Sequence, residues 1–262
     1  MTPFAGYEAV MLQDRHDTPL EVEPYSVTAE FYDILQAESD RRLAERRFAA
    51  AARSARVGVV DVGAGTGIGT EVLLARSAAP VHAVEPSAPM RVALLTRLAG
   101  LGADVRARVT VHSVPFQEAG LVQAADLVVC SNIAGVVPPP VRRALWRAAA
   151  AALVPGGLLL LEPPPPTVPD GPTIEDLPPV RVGPDIYSAQ VCMRPERGLT
   201  SVTYSYRVKR DDKVVRRASE EFTMWPASAM VVQAELREAG FCVSATTDDL
   251  VHAMLDATPL SQ

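Results

Sequence analysis

The stretch from Val57 to Thr70, VGVVDVGAGTGIGT, constrains this chain more than any other. An apolar run closed by an acid and followed by alternate glycines reads as a buried strand that stops at a tight, ligand-facing turn. Gly63, Gly65 and Gly67 let the backbone take dihedrals that a side chain would forbid, and they let a ligand lie against the main chain. The next apolar run ends at Glu85, twenty residues past Gly65, where a carboxylate can accept hydrogen bonds from both hydroxyls of a ribose. Loop and acid together point to a site for an adenosine-bearing cofactor.

Length and charge bound what surrounds that loop. With 262 residues and 48% hydrophobic content, the chain can form one large α/β core with an appendage. A net charge of −6 offers no field for nucleic acid or an anionic membrane. Three scattered cysteines, Cys130, Cys192 and Cys242, make neither a disulfide framework nor a metal pair. Cys130 and Cys242 are expected to be small buried hydrophobes, and His82 and His112 packed strand residues. No His, Cys and acid grouping has metal-ligand spacing. The N-terminus lacks a basic start with an apolar core, so a cytoplasmic protein is expected.

Periodicity sets the order of elements. Residues 1 to about 24 have no readable pattern and are taken as an arm. Ser26 to Arg53 is helical, with Phe31, Leu35, Leu43 and Phe48 among its apolar positions and Glu38, Asp40, Arg41 and Arg46 on other faces. After the loop come a helix over Ile68–Arg76, a strand over Val81–Val84, a helix capped by Ser87 and running through Leu98, and strands at Val109–His112 and 126–132. A helix over Pro139–Leu153 and a strand over Leu158–Leu161, ending at Glu162, follow. Apolar strands alternating with helices predict a parallel sheet covered on both faces. The proline-rich segment from Pro163 to about Gly198 reads as an extended crossing segment, and residues 200–224 as a β-hairpin with one apolar face. Pro226 opens a helix to Ala239, with strands at Phe241–Ala245 and Val251–Leu255 behind it.

The pieces DVGAGTG (61–67), AVEPSAPM (83–90), DLVVCSN (126–132), LVPGGLLLLEP (153–163) and WPASAMVVQAELREAGF (225–241), in this order and spacing, resemble a class I S-adenosylmethionine-dependent methyltransferase of the small-molecule, bacterial type. The resemblance implies a Rossmann-like, doubly wound sheet of seven strands, the last antiparallel, with an inserted β-hairpin cover. It divides the chain into an arm and helix acting as a lid (1–56), a cofactor-binding core (57–162 and 225–262) and a substrate cover (163–224). A dinucleotide-dependent oxidoreductase is the competing reading of the loop, but GxGxxG fails because Ile68 occupies its last position, and no GK[ST] follows to make a P-loop.

Residue by residue, the resemblance gives Gly63, Ala64 and Gly65 to the wall around the methionine part of the cofactor, oriented by Asp61. Glu85 would take the ribose hydroxyls, with Pro86, Ser87 and Met90 beside ribose and adenine. Pro115 stands where the family often has an adenine-binding acid, which leaves Phe116 and Gln117 as substitutes. Cys130, Ser131 and Asn132 would contact the methionine moiety and border the substrate, and Tyr25 and Tyr32 would close over the cofactor. Asn132, Glu162 and Tyr25 are the candidate catalytic residues; Glu162 either bonds a substrate amine or hydroxyl or caps a loop. The expected reaction is direct methyl displacement onto a small molecule, a specialised metabolite by the family's habits, without nucleic acid or membrane partners; a homodimer is compatible. The lack of an unmistakable base favours nitrogen over oxygen or carbon as acceptor. A silent relative that binds the cofactor as a regulatory or scaffold module is the alternative from another class.

Overall fold

A computed structural model describes residues 23–247 and 250–256, so the arm expected over residues 1–24 lies almost wholly outside the described residues, as does His16. In chain order the elements are α1 (Thr28–Ser54), β1 (Val59–Val62), α2 (Ile68–Arg76), β2 (Val81–Val84), α3 (Ala88–Ala99), a short α4 (Ala103–Arg106), β3 (Val109–His112), β4 (Ala125–Cys130), α5 (Pro139–Ala152) and β5 (Leu153–Leu161). Four strands follow: β6 (Thr173–Val182), β7 (Asp185–Glu196), β8 (Leu199–Arg210) and β9 (Lys213–Met224). The chain returns through α6 (Ala229–Glu238), β10 (Phe241–Thr247) and β11 (Leu250–Leu255).

The main sheet has seven strands in the order β10-β11-β5-β4-β1-β2-β3. β1 through β5 pair in parallel, and the last strand, β11, is inserted antiparallel between β5 and β10. Strand β1 is buried along its whole length, because alternate residues serve opposite faces. Val60 and Val62 join Val128, Leu159 and Leu161 under α5 and α6, through Trp146 and Leu236. Val59 joins Val81, Leu127 and Leu160 under α1, α2 and α3, through Phe48, Leu73 and Leu94. A Cβ at Gly58 would come within 2.3 Å of the Ala124 carbonyl oxygen, so the entry to β1 admits only glycine. Beside it the Asp126 carboxylate accepts the Arg56, Val57 and Gly58 amides at 2.7 to 3.2 Å.

The structure corrects the insertion. Residues 173–196, read as an extended crossing segment, form a first hairpin that pairs with the second to make a four-stranded antiparallel sheet, β6-β7-β8-β9. β6 is an edge strand, and its register slips between Leu177 and Val180, so Pro178 and Pro179 sit where no ladder donor is needed. Two smaller shifts are α6, which starts at Ala229 behind a Ser228 cap and not at Pro226, and β5, which runs through the Pro155-Gly156-Gly157 segment from Leu153.

The small sheet is fastened to α1. Phe31 is 1% exposed and stacks on Tyr206, the ring centroids 4.4 Å apart. The Tyr206 hydroxyl donates to Thr28 Oγ1 at 3.0 Å. Glu220 Oε2 accepts the Thr28 amide at 2.6 Å, satisfying an orphan donor of α1's first turn from a strand 192 residues away. On the core side, Arg97 of α3 reaches Asp33 of α1 and Glu71 of α2, which also takes Arg41. Helix α1 is therefore held between the core and the inserted sheet, and one of its faces looks into the site.

Candidate active site

A cavity of about 480 Å³ opens at the carboxyl ends of β1, β2 and β4, where parallel sheets bind ligands. Its floor is the glycine turn. Gly63 (φ +69°) and Gly67 (φ +86°) stand in the left-handed region, and a Cβ on either would lie within 2.5 Å of a neighbouring side chain, Ile133 and Leu94 respectively. Gly65 shares the positive φ, and its amide donates to Glu85 Oε2 at 2.8 Å. The second Glu85 oxygen accepts the Ser87 amide at 2.8 Å. The carboxylate thus ties the loop after β1 to the loop after β2. Burial raises the Glu85 pKa, and the two amide bonds oppose that rise.

Asp61 stands beside it on β1, buried, with Oδ2 accepting the Thr70 hydroxyl at 2.6 Å. Burial and the Glu85 charge push its pKa up to about 6 against the Thr70 bond. A cationic ligand would favour its ionised form. Thr66 also lines the cavity, and its buried hydroxyl lacks a protein partner.

The structure brings most of the expected site residues to this cavity: Tyr25, Tyr32, Asp61, Gly63, Ala64 and Gly65 line it, as do Glu85, Pro86, Met90, Phe116, Gln117, Ser131 and Asn132. Two stand apart. Cys130 is 1% exposed behind the lining, its thiol pushed up to about 12 by burial and by Asp61 and Glu162, so it is an inert packed residue. Glu162 is also outside the lining. Its Oε2 accepts Arg47 Nη1 at 2.9 Å, the Ser131 hydroxyl at 3.0 Å and the Asn132 amide at 3.3 Å. That carboxylate joins the ends of β4 and β5 to α1, and it holds Asn132 at φ +57°, a left-handed conformation that asparagine tolerates. All three of these bonds fall on Oε2.

Tyr25 also has positive φ, +69°, and packs its ring on Phe222 of β9, centroids 4.9 Å apart. Burial, then Glu85, pushes its hydroxyl up to about 12, so it stays protonated and can only donate or orient at neutral pH.

One residue that the sequence placed on another face belongs here. Asp40 of α1 lines the cavity together with Tyr32, Leu43, Ala44 and Phe48, an i, i+3, i+4 stripe that α1 turns inward. Burial raises the Asp40 pKa, opposed by the Tyr32 hydroxyl that donates toward it, with Glu162 and Asp33 adding to the rise. Tyr32 is held well above its ordinary value. One lesser expectation also changes. Cys242 is exposed, because it lies on β10 at the sheet edge. His82 and His112 face each other at 3.1 Å across β2 and β3, both half-buried and shifted down by burial.

The donor set fits the expected cofactor. Glu85 can receive ribose hydroxyls, and Pro86, Met90 and Phe116 supply apolar walls for a purine. Asp61, Asp40 and Glu23 give negative charge suited to an ammonium and a sulfonium, while among the described residues no Arg, Lys or His lines the cavity. Glu85→Ala is expected to weaken S-adenosylhomocysteine binding by about 1–3 kcal/mol, since it leaves hydroxyls unpaired and unties Gly65; calorimetric affinity equal to wild type would remove the assigned role. Among the described residues no group of three or more His, Cys, Asp and Glu side chains could share a metal ion, and no helix is long and apolar enough to cross a membrane.

Residues 60–159 match the family model described as a methyltransferase domain. No curated protein matches the chain at a significant level. Among solved structures, the sugar N-methyltransferase KedS8 from Streptoalloteichus is 23% identical, with 96% of this chain and 100% of that one covered and a TM-score of 0.66. CalS10 from Micromonospora echinaspora, an amino pentose methyltransferase of calicheamicin biosynthesis solved with S-adenosylmethionine bound, is 22% identical over 91% and 99% of the two chains, also at 0.66. The CcbJ methyltransferase from Streptomyces caelestis is 17% identical over 87% and 96%, at 0.68. Identities this low speak for the shared fold. Residues 60–159 therefore carry a methyltransferase domain, whose strands β1 to β5 form the parallel part of this sheet with the motifs at their carboxyl ends.

Proposed function

We propose that the chain methylates an amino group on a small sugar-like molecule of specialised metabolism. The observation that carries this reading is Asp40. It is a desolvated carboxylate in the wall of a cavity to which no described Arg, Lys or His contributes, held by a tyrosine that cannot ionise at neutral pH. The sugar N-methyltransferase and amino pentose methyltransferase among the similar structures support the choice of acceptor.

When bound, S-adenosylmethionine supplies a methyl group made electrophilic by its sulfonium. The chain's own task is to hold and deprotonate the acceptor. An alkylammonium entering the cavity is attracted by Asp40, Glu23 and Asp61, and it gives one proton to the Asp40 carboxylate. Asp40, having taken the proton, leaves the nitrogen lone pair free to face the methyl group that bound S-adenosylmethionine would supply. Tyr25 and Asn132, both at positive φ, and Tyr32 orient the acceptor, converting attack into an effectively unimolecular event. Asp61 and Glu85 remain with the methionine and ribose ends. Helix α1 and the four-stranded sheet act as lid and cover, excluding water from the transfer.

The reading is tested by incubating the protein with methyl-labelled cofactor and a panel of aminodeoxyhexose glycosides beside their hydroxyl counterparts. Label is expected in the amines as secondary or tertiary methylamines. Label confined to hydroxyl acceptors would sink the amine reading. Tight S-adenosylhomocysteine binding with no transfer to any acceptor would favour the binding-only module.

A further inference from the structure

Helix α1 is tied to the core at two places. Asp33, Arg41 and Glu45 pair with Arg97, Glu71 and Arg76, which belong to α3 and α2. Among the described ion pairs, the one that joins α1 to the strand ends of the main sheet is Arg47 Nη1 to Glu162 Oε2, at 2.9 Å. The Arg47 side chain is 5% exposed and its Nε is buried without a partner, so its charge is balanced at Glu162.

The same Glu162 oxygen accepts the Ser131 hydroxyl and the Asn132 amide. One atom thus joins α1 to the turn after β4, where Asn132 stands at φ +57°. On the helix side, Arg47 follows Asp40 by seven residues, two turns or about 10 Å along one face. Leu43 and Ala44 lie between them on that face and line the cavity. Asp40 and Asn132 line it from different elements. A helix carries a shift at Arg47 on to Asp40, so this junction fixes how far apart the two walls stand.

The junction also sets the field at Asp40. Tyr32 and Asp33 of α1 face it, as do Tyr204 of β8 and Glu162 at the end of β5. Burial raises the Asp40 pKa most, the Tyr32 hydroxyl opposes the rise, and the charges of Glu162 and then Asp33 add to it. Asp33 is paired with Arg97, and Tyr204, raised by burial, stays protonated at neutral pH. Glu162 is the negative group near Asp40 whose counter-ion is Arg47, and neither member of that pair lines the cavity.

Resting on the amine reading above, we propose that Arg47 is a positioning residue for methyl transfer: through Glu162 it sets the spacing between Asp40 and Asn132 and balances the charge that faces Asp40.

The test measures kcat, KM and their pH dependence with the aminodeoxyhexose glycoside methylated fastest in the panel above, and S-adenosylhomocysteine affinity by calorimetry. Arg47→Met is expected to lower kcat about 10- to 100-fold, the cost of a misplaced reacting group, with S-adenosylhomocysteine affinity within about threefold of wild type. Its acid limb should move to higher pH, because an uncompensated Glu162 charge disfavours ionised Asp40. Glu162→Gln keeps an oxygen for all three bonds, since they share one atom, but loses the charge, so its limb should move to lower pH. Arg47→Lys, which keeps the charge, should recover most of the lost kcat. Equal losses of kcat and S-adenosylhomocysteine affinity in Arg47→Met, with the limb unmoved, would mark a merely structural tie and overturn the proposal. If that variant does not fold, Glu162→Gln decides, and a limb left at the wild-type position overturns it. Wild-type kinetics in both variants, beside an Asp40→Asn variant that lacks the limb, would overturn this proposal and leave the amine reading standing. No glycoside methylated, or a limb that survives Asp40→Asn, would overturn the amine reading and this proposal with it.

Discussion

Asp40→Asn is expected to lower kcat on an amine acceptor by about 10²- to 10⁴-fold at neutral pH, the usual contribution of a positioned proton acceptor, with S-adenosylhomocysteine affinity within about twofold of wild type. Asparagine keeps the size of the side chain and an oxygen for the Tyr32 hydroxyl but cannot take a proton. The pH dependence separates chemistry from structure. Burial raises the Asp40 pKa above the ordinary carboxylate range, so the wild-type rate should fall as pH drops through that raised value, and the variant should lack this limb. The sign of the stability term runs the other way. A carboxyl whose pKa is raised on folding binds its proton first in the folded state, so over the same window Asp40 stabilises the fold as pH falls. Acid loss of activity with an unchanged or rising melting temperature is therefore the expected signature. A variant that keeps the wild-type pH profile would remove Asp40 from the proton path.

What the sequence made legible and what it hid follow from how local each feature is. The β1 run, the glycine turn and Glu85 were readable because a strand buried on both faces must be apolar throughout and a positive-φ turn must be glycine-rich. Asp40 was hidden because α1 is charged on several faces. Which of them is buried depends on the small sheet that docks through Phe31 and Tyr206, about 175 residues apart. The first hairpin was hidden by Pro178, Pro179 and Pro184, which read as breakers until an edge position and a register slip accommodate them. A signal was present all the same: Tyr187, Ala189 and Val191 alternate with Ser188, Gln190 and Cys192. Glu162 was correctly placed at the rim by its strand, but its neutraliser Arg47 comes from 115 residues away, a pairing that no local pattern encodes.

Glu235→Ala should cost about 3–5 kcal/mol of stability, the range for removing one partner of a buried ion pair. Arg142 of α5 is 1% exposed and donates through Nε and Nη2 to the two Glu235 oxygens, each at 2.9 Å, while the Trp146 indole donates to Oε2 at 3.1 Å. Removing the carboxylate strands a buried guanidinium between α5 and α6. A melting-temperature drop on the order of 10 °C is expected, together with an earlier urea midpoint. The pair is nonetheless imperfect, because Arg142 Nη1 is buried without a partner even in the intact protein. Replacing both residues, Arg142→Met with Glu235→Leu, should therefore recover most of the loss, because the desolvation of two charges is no longer required. Val141 and Leu145 of the same helix line the cavity, so the single variant should also weaken S-adenosylhomocysteine binding by loosening that wall, and the double variant should restore it. A single variant within about 1 kcal/mol of wild type would show that the ion pair contributes no more than a surface bridge. A double variant as unstable as the single would show that α5 and α6 need the charge pair itself, and not merely filled space, to find their register.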